Sequence, residues 1–289
     1  LHLCDRRQRQ MCIRDSHTTF DNLPEVCDIK LDEHQYKIIK QMVKERRNFW
    51  LEFDIRNHFK LGPVKYHNVV ASIKGTKYPD EYVIISGHLD SYDVATGGID
   101  CGTGIGPMME AARMIALSGA KPKRTILFVA FAGEEFGLLG AKSYVKTHAK
   151  ELGKIANLFN RDGGPTPPVG ISVPQAMYDD FVEVCKPVKE IRADYPFEVK
   201  VAKPFKRPTQ SGGTDASVFA VEGVPTFGFN TQDIKGYNFS YGEIWHTERD
   251  LYTKNIPEYQ EHAATVTAVV ALGIANLSKQ LSREGMHKK

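Results

Sequence analysis

From Tyr66 onward the apolar residues follow two alternating rhythms. Short runs rich in β-branched and aromatic side chains predict strands: Val69–Ile73, Tyr82–Ser86, Thr125–Phe131, Ile155–Phe159, Val169–Val173, Phe197–Val201 and Pro225–Phe229. Gly75 to Asp80 reads as the turn between the first two. Between the strands, apolar residues recur every three or four positions over 104–117, 138–150, 176–188 and 215–221, which predicts helices. In the first of these, Ile105, Met108, Met109, Ala112, Ile115 and Ala116 share a face. Pro107 is placed in its first turn, where a missing N–H costs nothing. Ile256-Pro257 opens a long last helix carrying Ala264, Val266, Val269, Val270, Leu272, Ile274 and Leu277. The polar stretch 278–289 is expected to fray. Thr125–Phe131 is apolar on both faces, as a central strand covered by helices on both sides requires. Alternation of this kind is the mark of an α/β fold.

Upstream the pattern differs. Asp32 is placed as the N-cap of a helix carrying Ile39, Met42, Val43 and Arg46 on its spacing. Leu51, Phe53 and Ile55 alternate with Glu52 and Asp54 and predict a half-exposed strand. Residues 56–65 are polar and contain Gly62-Pro63, which sets a boundary near 65. Residues 1–16 are basic, aperiodic and without the apolar centre of a signal peptide. They read as an artefactual or disordered segment, so the true amino terminus and any targeting signal are expected outside this sequence.

Composition narrows the class. Over 289 residues, 42% hydrophobic content supports a sizeable core. A net charge of +3 from 38 basic and 35 acidic residues gives no ground for a nucleic-acid or membrane-surface partner. No apolar run approaches the roughly 20 residues that span a bilayer. The five cysteines show neither metal spacing nor a disulfide framework.

The chemistry gathers at strand ends. His88 closes the run Tyr82–Ser86 and lies in Gly87-His88-Leu89-Asp90. Asp100 follows in a glycine-rich turn, Glu134-Glu135 follows Phe131, and Asp162 follows Phe159. His246 lies in a loop before the last helix. Apolar strands with ligand-type residues at their carboxyl ends are how an α/β enzyme presents a metal site. Imidazoles and carboxylates without thiolate suit zinc, with cobalt or manganese as looser fits. Asp100, Glu135 and Asp162 bring three negative charges, and two divalent ions with a bridging hydroxide would balance them. Asp100 is the expected bridge, because its glycine-rich turn lets the backbone approach closely. Glu134 and Glu135 are neighbours and cannot point the same way, so Glu135 is read as ligand and Glu134 as general base. Asp90 is expected to hold the far nitrogen of His88. Taken singly, each motif has a bland reading as solvated surface, turn or packed corner. The ordered series makes coincidence a poor account. His34, His58, His67, His148 and His262 are read as ordinary surface or helix-face residues.

On these motifs the chain resembles the co-catalytic dinuclear zinc exopeptidases of the aminopeptidase and glutamate carboxypeptidase type. The stretches are Gly87-His88-Leu89-Asp90-Ser91, Gly98-Ile99-Asp100, Gly133-Glu134-Glu135, Asp162-Gly163, Gly213-Thr214-Asp215 and His246-Thr247-Glu248-Arg249-Asp250. The resemblance implies a three-layer sandwich with a mixed, mostly parallel central sheet flanked by helices. It implies two Zn2+ per chain: His88 and Asp162 on one, Glu135 and His246 on the other, Asp100 on both, with Glu134 as base. It also implies a cis peptide at Asp100-Cys101. Residues 66–289 would be the catalytic domain and 17–65 the remnant of a protease-associated domain with its linker.

Two departures stand out. Cys101 replaces a second aspartate of many relatives and is read as a small buried side chain. Trp245 stands where glutamate carboxypeptidase-like members carry a tyrosine, so a phenol for the oxyanion would come from Tyr241 or Tyr237. Substrate contacts are assigned to Tyr241, Trp245 and Thr214. Lys203 to Arg207 and the loop 209–214 are offered for carboxylate recognition, with Asp215 bracing that loop. The expected reaction is hydrolysis of a terminal bond in peptides or dipeptides. A non-catalytic receptor-like homologue and a single-zinc glutaminyl cyclase-type acyltransferase are the alternatives. A homodimer is among the expected assemblies, and secretion or a periplasmic location follows from the resemblance. Asn238 and Asn276 head glycosylation triplets.

Overall fold

The computed structural model describes residues 2–3, 28–29, 31, 33–54, 62–92 and 95–288. Two-residue strands β1 (His2–Leu3) and β2 (Asp28–Ile29) pair in parallel, and helix α1 (Glu33–Lys44) follows. The main sheet is built from β3 (Val69–Ile73), β4 (Tyr78–His88), β5 (Arg124–Phe131) and β6 (Ile155–Asn160), in the order β3-β5-β4-β6. Strands β5, β4 and β6 run parallel, and β3 runs antiparallel to β5 along one edge. A second sheet holds β7 (Pro168–Pro174) between its parallel neighbour β8 (Glu198–Ala202) and its antiparallel neighbour β10 (Phe229–Thr231). A bridge from Leu158 to Thr226 ties β6 to the segment that enters β10.

Alternation along the central strands makes the layers. Val83 and Ile85 of β4, with Ile126, Phe128 and Ala130 of β5, face helices α2 (Gly102–Leu117), α4 (Tyr178–Ile191) and α7 (Pro257–Ala275). Ile84 of β4, with Val129 and Phe131 of β5, faces α3 (Leu139–Thr147) and α5 (Ala216–Val221). Period-two alternation on strands covered from both sides is what a three-layer α/β sandwich demands. Each fully buried aliphatic side chain contributes on the order of 1.5–3 kcal/mol.

Several local expectations change. Helix α2 begins at Gly102, so Pro107 falls in its second turn. Proline has no N–H for the Thr103 carbonyl one turn back. The guanidinium of Arg161 takes that place, donating from Nε to Thr103 O at 2.7 Å. Strand β4 begins at Tyr78, inside the expected turn, with irregular pairing to β5 between Tyr78 and Tyr82. Over Pro225–Phe229 only Thr226 bridges, and the ladder starts at Phe229. Leu51 to Asp54 form no strand, and Ile55 and Asp32 lie outside the described residues.

The carboxyl-terminal segment is packed rather than frayed. β11 (Met286–Lys288) pairs with β9 (Phe205–Lys206), and Leu281 and Met286 are buried. Arg283 donates to the carbonyls of Leu152, Gly153 and Ile155 at 3.3, 3.0 and 2.7 Å. Two apolar anchors and one multivalent donor outweigh the polar composition that suggested fraying.

Candidate metal centre

Three adjacent parallel strands end on one edge of the sheet, and the site is built there. His88 is the last residue of β4, Glu134 and Glu135 lie just past β5, and Asp162 lies just past β6. The loop after β4 adds Asp90 and Asp100. His246 follows the one-turn helix α6 (Tyr241–Ile244).

His88 Nε2 lies 2.9 Å from Asp100 Oδ1 and 3.5 Å from Asp162 Oδ1. Its Nδ1 donates to the main-chain carbonyl of Asp90 at 2.9 Å. A carbonyl only accepts, so the ring proton sits on Nδ1 and Nε2 faces two carboxylates. Burial opposes a charged ring there, but Asp100 and Asp162 prevail and raise the His88 pKa far above its ordinary value. The pocket therefore calls for positive charge at Nε2. On the other side, His246 Nε2 lies 2.8 Å from Glu135 Oε2. Glu135 Oε1 and His246 Nδ1 are both buried without a hydrogen-bond partner among the described residues. Ligand atoms of His88, Asp100 and Glu135 converge within 4.8 Å of one another, as do those of His88, Cys101 and Asp162. Imidazole and carboxylate donors, like charges packed together and an orphaned carboxylate oxygen fit a divalent cation.

The surroundings hold these groups in place. The Asp90 carboxylate does not reach His88: its Oδ1 is 3.8 Å from Nδ1. It instead accepts the main-chain N–H groups of Glu134 and Glu135 at 3.1 and 3.2 Å. The expected hold on His88 thus comes from the Asp90 backbone, while its side chain fixes the Glu134-Glu135 turn. Asp250 secures the Asp100 turn, accepting from Ile99 N at 2.7 Å and Asp100 N at 3.1 Å. That turn passes so close to the chain at Leu251 and Tyr252 that a Cβ on Gly98 would meet their backbone at 2.2–2.5 Å. The Asp100-Cys101 peptide is cis. Cys101 is buried, donates its thiol to Arg161 O at 3.0 Å, and is pushed up to about 11 by burial.

Of the residues expected at the substrate, Tyr241 donates its hydroxyl to Asp100 Oδ2 at 2.9 Å. Burial and the Asp100 charge raise its pKa far above the phenol range, so it stays a donor. Tyr237 instead bonds Glu258 at the surface. Trp245 stacks on His246, with ring centroids 3.9 Å apart. Thr214 Oγ1 accepts from Asn160 Nδ2 at 2.5 Å, and Asn160 Oδ1 accepts from Ser86 Oγ at 2.7 Å. This partly buried chain joins Ser86 and Asn160, which lie two residues behind His88 and Asp162 respectively. Arg207 donates to Val221 O at 2.6 Å and so serves the fold. Asp215 is fully buried, does not cap α5, and is pushed up to about 7 by burial. Glu134 is pushed up to about 9, by burial first and then by Asp162. His262 is not a surface residue: it is buried in α7 and stacks on Tyr195.

The pattern that defines Peptidase family M28 matches residues 68–270, more than half of the chain. The chain belongs to that family. Carboxypeptidase Q of Rattus norvegicus is 32% identical to this M28 chain over 231 residues, which is 78% of this chain and 46% of that protein. The chain therefore spans about half the length of the curated relatives it matches. The M28 peptidase precursor of Shewanella amazonensis SB2B superposes with a TM-score of 0.70 at 28% identity, covering 90% of this chain and 56% of that one. A zinc aminopeptidase from Bacillus subtilis superposes at 0.55 with 21% identity, over 76% of this chain and 53% of that one. This second likeness is one of fold.

Among the described residues no helix is long and apolar enough to cross a membrane. In the sequence Asp250 has only its place four residues after His246 to mark it, and Arg161 only its place before Asp162.

Proposed function

We propose that this chain carries the catalytic part of a zinc exopeptidase that hydrolyses a terminal bond of peptides or dipeptides. The observation that carries the reading is the meeting of His88, Asp100, Glu135, Asp162 and His246 at one sheet edge, with Glu134 beside them. Family membership and the zinc named for the Bacillus aminopeptidase support the choice of metal. His88 and Asp162 would hold one zinc, Glu135 and His246 a second, and Asp100 both. The family match over 68–270 supports placing the catalytic unit from 66 onward, with 17–65 as the remnant of an upstream domain.

When bound, zinc supplies Lewis acidity toward the scissile carbonyl and lowers the pKa of a water molecule toward neutrality. The chain's own groups do the rest. Glu134 is held by its backbone on Asp90 and among the described residues pairs with no histidine, so its carboxylate is available to the water. It accepts the proton of the attacking water and passes it to the departing amine nitrogen. Burial and the Asp162 charge raise the Glu134 pKa, and divalent cations beside it would lower it again to the ionised form that a base needs. Tyr241 keeps its proton, and with Asp100 engaged in holding zinc its O–H would turn from Asp100 Oδ2 to the oxygen that gains charge, the part a phenol plays in an oxyanion site. Trp245 supplies aromatic surface and an indole N–H beside the centre.

Dipeptides with a free or blocked amine and a free or blocked carboxylate test the reading and show which terminus is required. Glu134→Ala should keep its zinc and lose roughly 10²–10⁴-fold in kcat. Turnover close to wild type in that variant would remove Glu134 from the role.

A further inference from the structure

The two histidines of the centre are held differently. His88 anchors its far nitrogen on the Asp90 carbonyl at 2.9 Å. The far nitrogen of His246, Nδ1, is buried and has no hydrogen-bond partner among the described residues. A metal-ligating histidine almost always uses that nitrogen for the bond that sets its orientation. His246 has two aromatic rings instead. Tyr92 lies parallel to it, with ring centroids 4.2 Å apart and an interplanar angle of 3°. Trp245 stacks at 3.9 Å and 28°. Two rings at such distances cannot share one face of an imidazole, so His246 is sandwiched. Rotation about its outer side-chain torsion would tilt the ring plane, and both neighbours block that tilt. His246 also has φ of 57°, a left-handed backbone that a residue with a Cβ adopts at a cost. Such strain persists only where surrounding structure imposes it. Here it sets the imidazole between the two rings with Nε2 toward Glu135.

We propose that Tyr92 and Trp245 are positioning residues, clamping the His246 ring in place of the missing hydrogen bond on Nδ1 so that Nε2 faces the metal. The proposal rests on the dinuclear reading above. It divides the centre into two unlike halves. The half built on His88 and Asp162 is oriented by a hydrogen bond and does not depend on the clamp. The half built on Glu135 and His246 depends on it, so losing one ring should weaken one zinc and spare the other. The ring face does this work, and the Tyr92 hydroxyl does not.

The test is zinc titration of the full chain by chelator competition, on wild type, Tyr92→Leu, Tyr92→Phe and Trp245→Leu. Thermal unfolding of each metal-free protein checks that the fold is kept. Wild type should bind two zinc ions. Tyr92→Leu should keep one at wild-type affinity and bind the other about tenfold or more weakly, the range seen when a group orienting a ligand is removed. Tyr92→Phe should restore both, and Trp245→Leu should weaken the same single ion. The clamp is overturned if wild type binds two ions and Tyr92→Leu binds both as tightly. It is equally overturned if both ions weaken together, or if Tyr92→Phe is as weak as Tyr92→Leu. Fewer than two ions on wild type would overturn the dinuclear reading itself, before any variant is compared.

Discussion

Asp250 stands 151 positions from Ile99, yet its carboxylate holds the turn that presents Asp100. Charge-assisted bonds to two buried N–H groups are among the stronger ones a side chain makes. Asp250→Ala should therefore cost about 3 kcal/mol in chemical denaturation and weaken zinc binding, because both N–H groups lose their acceptor. Unchanged stability would show that the turn is held elsewhere. His262 makes a different prediction. Burial lowers its pKa to about 4, and its Nε2 donates to Pro168 O at 2.8 Å. The folded pKa lies below the unfolded value of about 6.5, so the folded state binds fewer protons between them. The neutral ring's contribution is complete above about pH 6.5 and is lost as pH falls toward 4, up to about 3 kcal/mol in all. Urea midpoints at pH 7.5 and 5 should fall further apart in wild type than in His262→Phe. Equal spacing would contradict the assignment. His88, Glu134, Glu135 and Asp162 were legible because they sit at or just past strand ends. Asp250 was not, since nothing local marks a carboxylate whose partners lie across the fold.

At the scale of elements, the three parallel strands were legible from their apolar runs, and their shared edge explains why distant residues meet. The adjustments came from contacts a sequence does not display. Pro107 could sit inside α2 because Arg161 supplies the donor that proline lacks. Arg161 also donates to Thr166 O at 3.0 Å, which ties the start of α2 to the loop carrying Asp162. Arg161→Met should cost about 3 kcal/mol, since buried carbonyls lose charged donors. A stability within 0.5 kcal/mol of wild type would mean that water replaces the guanidinium without loss. The polarity of the carboxyl-terminal segment conceals its packing. Arg283→Met should cost about 2 kcal/mol and expose the segment to proteolysis, because the carbonyls of Leu152, Gly153, Ile155 and Gly223 lose one donor group. Unaltered cleavage kinetics would contradict that anchoring role.

For the whole molecule, the three-layer arrangement follows from alternation on β4 and β5, and it leaves one edge of the sheet for chemistry. That edge carries Asp90, Asp100, Glu134, Glu135 and Asp162 around two histidines, a concentration of negative charge that opposes folding when nothing neutralises it. Zinc at 100 times its dissociation constant should add about 2.7 kcal/mol of stability per ion, provided the unfolded chain does not bind it. The order along the chain of the residues gathered at that edge was legible. The Tyr92–His246–Trp245 stack was not, because ring stacking across loops leaves no spacing to read. Five side chains are proposed to hold two ions, with Glu134 free beside them. Elemental analysis of the purified chain, equilibrated at buffered micromolar zinc, measures this. Two zinc ions per chain are expected. One ion, or none, would contradict it.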